Sequence, residues 1–213
     1  MKASHTLQPW ESAGIPLWPL TVLSLIARRQ TDNPLEPERY DETWEFHSRN
    51  VVQLIRECGV DFIETENNLL FAVAGGPMLD DSDTEKILDA AIKIREYARQ
   101  VQADETTTNY YVKIGLHTDK VIAGIIDAAR MPFDLYAHAL HMANRMARIC
   151  NWGEINLSQY THDYVGDAYN CDYWGSIDAM GEIHKPSNHV FKKAVKNRPS
   201  IRRDSVKMYK VRG

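Results

Sequence analysis

Residues 111–146 read YVKIGLHTDKVIAGIIDAARMPFDLYAHALHMANRM. The stretch opens as a strand, makes a tight turn at Asp119 and continues as a second strand; a loop and an amphipathic helix follow. The helix is expected from Asp134 to Cys150. Ala139, Met142, Ala143, Met146, Ala147 and Cys150 fall on its apolar stripe. His138, His141, Arg145 and Arg148 share the opposite face, at i, i+3, i+7 and i+10. Aspartate tolerates the left-handed backbone that a tight turn demands, so Asp119 suits its place.

Outward from this stretch, Trp18 to Ala27 (WPLTVLSLIA) reads as a buried strand, and Tyr40 to Cys58 as a helix stopped by Gly59. Val60 to Thr65 and Leu69 to Ala74 form a hairpin across Glu66-Asn67-Asn68. Asp80 to Asp83 cap an apolar-periodic helix that runs to about Val101. Downstream, Glu154 to Leu157 is a strand, Gln159 to Val165 a helical turn and Val206 to Val211 a closing edge strand. Strands and helices mix without strict alternation. That order predicts an α+β domain with helices packed on one side of a sheet and argues against a doubly wound parallel fold. No internal repeat is visible.

Composition narrows the function classes. The 213 residues are 44% hydrophobic and 25% charged, a balance that can bury a sizeable core. A net charge of -4 gives no global attraction for nucleic acid. No apolar run is long enough to span a bilayer, and MKASHTLQPWESAG lacks a secretory signal's apolar core, so a cytoplasmic protein without direct membrane contact is expected. Cys58, Cys150 and Cys171 show no C-x-x-C spacing, and reduced thiols follow.

IGLHT-x-x-VIAG and FDLYAHALHMANRM resemble the core of the class III nucleotide cyclase catalytic domain. That family's consensus runs roughly R-I-G-I-H-T-G-x-V-x-A-G, then Y-D-x-W-G-x-x-V-N-x-A-x-R-M. The resemblance extends from about Pro19 to Arg212. It implies a ferredoxin-like α+β cyclase-homology domain, its mixed or antiparallel sheet packed with helices, over residues 19–213. Residues 1–18 form an N-terminal extension, and residues 183–203 form a basic C-terminal segment within the domain. Two family glycines are replaced, by Asp119 in the hairpin and by Ala137 before the helix.

A cyclase drives a nucleotide's 3'-hydroxyl onto its own α-phosphate, chiefly by positioning and charge neutralisation. The family holds two divalent metals on two aspartates. The resemblance places Leu25 and Asn68 at those two positions, so neither brings a negative charge. It matches Arg145 to the arginine that stabilises the phosphorus, and His141 to its asparagine partner. Periodicity alone is equally compatible with a solvated helix face. A zinc site from His138 and His141 lacks a further evident ligand. Glu64 and Asp134 match the base-reading positions, but glutamate at the first goes with guanine and aspartate at the second with adenine, which leaves the base open. Arg28, beside Arg29, and Lys185 are candidates to cradle phosphate, although charged loops are commonly just solvated.

The resemblance thus implies a degenerate cyclase-homology subunit, dimeric with itself or with another cyclase-type domain and able to bind a nucleoside triphosphate. Mg²⁺ or Mn²⁺ would bind only where a partner supplies ligands. One alternative is the half-site partner of a heterodimeric cyclase, supplying Asp134 and Arg145. Another is an active cyclase with a rewired site, in which Asp61 and Glu66 hold a metal.

Overall fold

The computed structural model describes residues 17–29, 42–66, 69–75, 83–103, 110–122, 133–178, 183–184 and 205–212. Its centre is a long strand, β1 (Leu17–Arg29), paired antiparallel with β3 (Leu69–Gly75) on one side and β4 (Tyr110–Ile122) on the other. Strands β2 (Phe62–Glu66), β5 (Ile155–Ser158), β6 (Cys171–Ile177), β7 (Ile183–His184) and β8 (Val206–Val211) complete one sheet of order β2-β3-β1-β4-β5-β8-β6-β7. Among the described strands only the β4–β5 pair is parallel, and helix α3 (Phe133–Ile149) makes the crossover between them. The fold is α+β with a mixed sheet, as expected.

Alternation along the strands sends side chains to two separate cores. Leu23, Leu25 and Ala27 of β1 join Ala72 of β3 and Ile114 and Leu116 of β4 beneath helices α1 (Glu42–Glu57) and α2 (Asp83–Ala103). Leu20 and Val22 join Phe71, Val73 and Val121 on the opposite face, under Tyr136, Ala139 and Ala143 of α3. Helices therefore cover both faces of the sheet, not one. The cause is the β4–α3–β5 crossover, which carries α3 over the face that α1 and α2 leave uncovered.

Three further expectations change. β4 is one unbroken strand: Thr118, Asp119 and Lys120 pair with Thr21, Leu20 and Pro19, so there is no turn at Asp119. β1 is long enough to keep the ladder going through residues that look like turn formers in isolation. β8 has the expected bounds, yet it lies inside the sheet between β5 and β6 rather than at an edge. β6 and β7 fill the edge and were not foreseen. The CDYWGSI of β6 has no clean alternation, and a register shift between Tyr173 and Gly175 breaks its pairing with β8.

The thiols are free, Cys150 buried and Cys58 and Cys171 half-buried. Among the described residues no helix is long and apolar enough to cross a membrane.

Candidate functional site

Helix α3 lies directly on β4, and Gly115 is the reason. A Cβ at Gly115 would stand 2.2 Å from the Ala143 carbonyl oxygen and 2.2 Å from the Ala147 nitrogen. With Ala139, Ala143 and Ala147 also small and wholly buried, helix and strand approach backbone to backbone. From Gly115 to Asp119 the strand rises about 13 Å. From Ala147 back to His138 the helix covers about the same length. Helix and strand thus run alongside each other, and His138 arrives above Asp119.

There the His138 Nδ1 and an Asp119 carboxylate oxygen are 2.6 Å apart. His117, two residues before Asp119 and so on the same sheet face, sits behind them, its ring centroid 5.9 Å from that of His138. His117 is 2% exposed, and its Nδ1 bonds the Ser158 hydroxyl at 2.9 Å. Burial pushes the His117 pKa down to about 4; the Asp119 charge opposes this and His138 adds to it. At neutral pH His117 is a neutral imidazole with a lone pair to offer. The three side chains bring ligand-type atoms within 4.8 Å of one another. Sequence reasoning missed this group because it put Asp119 in a turn and sought a partner for His138 at His141. The His-x-Asp spacing on a strand was the signal that could have found it.

Further along α3, the Arg145 guanidinium donates from Nη2 to the Asp178 carbonyl at 2.9 Å, which ties the helix to the end of β6. Asp178 is itself buried, with a carboxylate oxygen 3.4 Å from His184 Nε2. His141 is exposed one turn before Arg145. Asp134 lies in the first turn of α3. Glu64 is exposed on β2, on the same sheet face as Phe62, which packs against Tyr136 with ring centroids 5.5 Å apart. Burial raises the Tyr136 pKa and the nearby Glu64 charge adds to it, so Glu64 stands close to the start of α3.

Other candidates lie elsewhere. Arg28 stacks over Trp152 at 4.2 Å and Tyr111 at 5.8 Å. Tyr111 is eight strand residues, about 26 Å, from Asp119, so Arg28 does not join that group. Leu25 is wholly enclosed in the core under α2. Its neighbour facing α3 is Ile26, and β1 (LWPLTVLSLIARR) carries no carboxylate at either position or any other. Asn68 and Lys185 lie outside the described residues, as does the basic segment beyond His184. Asp61 is exposed before β2, and Glu66 ends that strand.

Residues 35–193 match the family described as the Adenylate and Guanylate cyclase catalytic domain. The chain belongs to this family. An adenylate cyclase of Mycobacterium tuberculosis is 23% identical over 130 residues, 61% of this chain and 29% of the relative. The soluble guanylate cyclase gcy-31 of Caenorhabditis elegans is 25% identical over 120 residues, 56% of this chain and 17% of the relative. The chain thus spans less than a third of the length of these relatives. Among solved structures, the adenylyl cyclase CyaB of P. aeruginosa superposes with a TM-score of 0.65 at 18% identity, covering 93% of this chain and 95% of that one. The guanylate cyclase domain of RhGC from Catenaria anguillulae, in complex with GTP, gives 0.64 at 16% identity over 92% of this chain and 96% of that one. These structures share the cyclase fold.

Proposed function

We propose that this class III cyclase-homology domain does not turn over substrate alone and works as one half of a dimer, binding a nucleoside triphosphate through α3. The observation that carries the reading is β1. A two-metal cyclase needs a carboxylate there to hold Mg²⁺ on the phosphates, and this strand offers Leu25 to the core and Ile26 to the other face. Arg145 remains on α3 as a guanidinium suited to phosphate oxygens, with Glu64 and Asp134 grouped toward the start of the same helix. Binding residues thus persist where the metal-holding residue of β1 does not.

The test is a product assay on the purified chain with each of the four nucleoside triphosphates and Mg²⁺ or Mn²⁺, paired with calorimetric titration of the same nucleotides. The expected result is binding without any cyclic nucleotide formed. Steady formation of a cyclic product by the chain alone would sink the reading.

The retained Arg145 favours a second reading, in which this chain completes the site of a partner that brings its own metal carboxylates. A related guanylyl cyclase domain, that of the RhoGC fusion protein of Blastocladiella emersonii, has been crystallised as a non-canonical dimer.

A further inference from the structure

We propose that His117, Asp119 and His138 form a binding site for a divalent ion of the zinc class, separate from the phosphate-bound metals used by cyclases. Two imidazoles and one carboxylate are a donor set for Zn²⁺, Co²⁺ or Ni²⁺; Mg²⁺ and Ca²⁺ take oxygen ligands almost exclusively. Ligand atoms around a tetrahedral zinc lie about 3.3 Å apart. The three present atoms lie within 4.8 Å of one another, and one pair, Asp119 with His138, is at 2.6 Å. Admitting an ion asks that pair to open by about 0.7 Å and the wider pairs to close by up to about 1.5 Å. That movement costs little, because the His138 side chain is 71% exposed and turns without disturbing the core.

The buried half of the site is built in advance. His117 is fixed by burial, and its Nδ1 is held by Ser158. This leaves Nε2 as the nitrogen for the metal and places a hydroxyl behind the ring, the kind of outer partner that orients metal-bound histidines. Ser158 is itself held, since its hydroxyl accepts the Thr161 backbone N–H as the cap of helix α4 (Gln159–Val165). Thr161 continues through Thr118 to Thr21 and Thr84, all buried. Asp119 is held by the β1–β4 ladder, and His138 by the close seat of α3 on Gly115. His117 is thus fixed, Asp119 stands on a fixed backbone with a partly exposed carboxylate free to adjust, and His138 is a solvent-facing arm, which gives the ion a way in and leaves a fourth position to water.

The test uses the tag-free full chain, stripped with chelator and titrated with Co²⁺ by visible absorption and with Zn²⁺ by calorimetry. One ion per chain should bind, and His138→Ala and Asp119→Asn should each weaken binding by at least about tenfold. His184→Ala should leave it unchanged. Both test positions are at or near the surface, and circular dichroism confirms that the variants fold. The proposal is overturned if the wild-type chain binds no ion, or if binding survives in either test variant with less than that loss; His138 and Asp119 are then a surface ion pair. The readout needs no nucleotide or turnover, so the metal site and the cyclase-homology reading can fail independently.

Discussion

Glu154 shows how single side chains hold the far half of the sheet in place. Its carboxylate accepts from the Asn151 backbone N–H at 3.0 Å and pairs with Lys210 of β8 at 2.6 Å, joining the turn after α3 to an interior strand. Burial alone would raise the Glu154 pKa, but the bonds from Lys210 and Asn151 outweigh it and hold the group below its ordinary value. A carboxylate depressed in the folded state contributes stability that is fully present above its unfolded pKa and is lost as pH falls through the folded one. Glu154→Gln should therefore cost about 1 kcal/mol at pH 7, a modest figure because both side chains keep some exposure. The gap between variant and wild type should shrink steadily below pH 4.5. Urea unfolding at pH 7 and pH 3.5 checks this, and an equal gap at both values would mean that the carboxylate's charge plays no part. At this scale the sequence was informative about which helix a side chain belongs to. The place of Arg145 on α3 was legible from the helix pattern. The partners of Glu154 and His138, 56 and 19 residues away in the chain, were not, because nothing local to either residue encodes a contact across the sheet.

At the scale of elements, strong periodicity was readable and tertiary override was not. Helices α1, α2 and α3, the β2–β3 hairpin and the short helix α4 all follow from apolar spacing and stop signals, and their bounds lie within a few residues of expectation. β4 was split in error, because Asp119 and Lys120 look like turn formers until β1 is seen pairing straight through them. The error hid the candidate metal group, since only a continuous strand sets His117 and Asp119 on one face. The seat of α3 on β4 has a sharp test of its own. Gly115→Ala puts a methyl group 2.2 Å from two backbone atoms of α3, and neither belongs to a side chain that could turn aside. The helix must lift or the strand must bend, at a cost on the order of 3 kcal/mol. Chemical denaturation should show that loss. A change below about 1 kcal/mol would mean that helix and strand have room to spare and that His138 is not fixed above Asp119 by this contact.

For the whole molecule the question is what one chain can do without another. Among the described residues the sheet carries one helix, α3, on the face opposite α1 and α2, and that helix holds Arg145, His141 and Asp134. β1, from which a two-metal site would draw a carboxylate, has none. An ion held on phosphates beside β1 of this chain would find no carboxylate on that strand, and the Arg145 guanidinium cannot take its place, because a cation repels the metal. In the reading proposed above, that negative charge comes from a second chain. Mixing this protein with a cyclase domain that keeps both metal aspartates, but whose own α3 arginine is replaced by alanine, makes the two halves complementary. The mixture should form cyclic nucleotide where neither component does, and Arg145→Ala in this chain should return the rate to background. Loss of one transition-state donor typically lowers turnover by about 100-fold or more, well above the noise of a product assay. If the mixture is active and Arg145→Ala leaves the rate unchanged, this chain is not supplying the arginine. If the mixture is silent although sedimentation shows the two chains associated, its role is confined to holding a nucleotide or a partner.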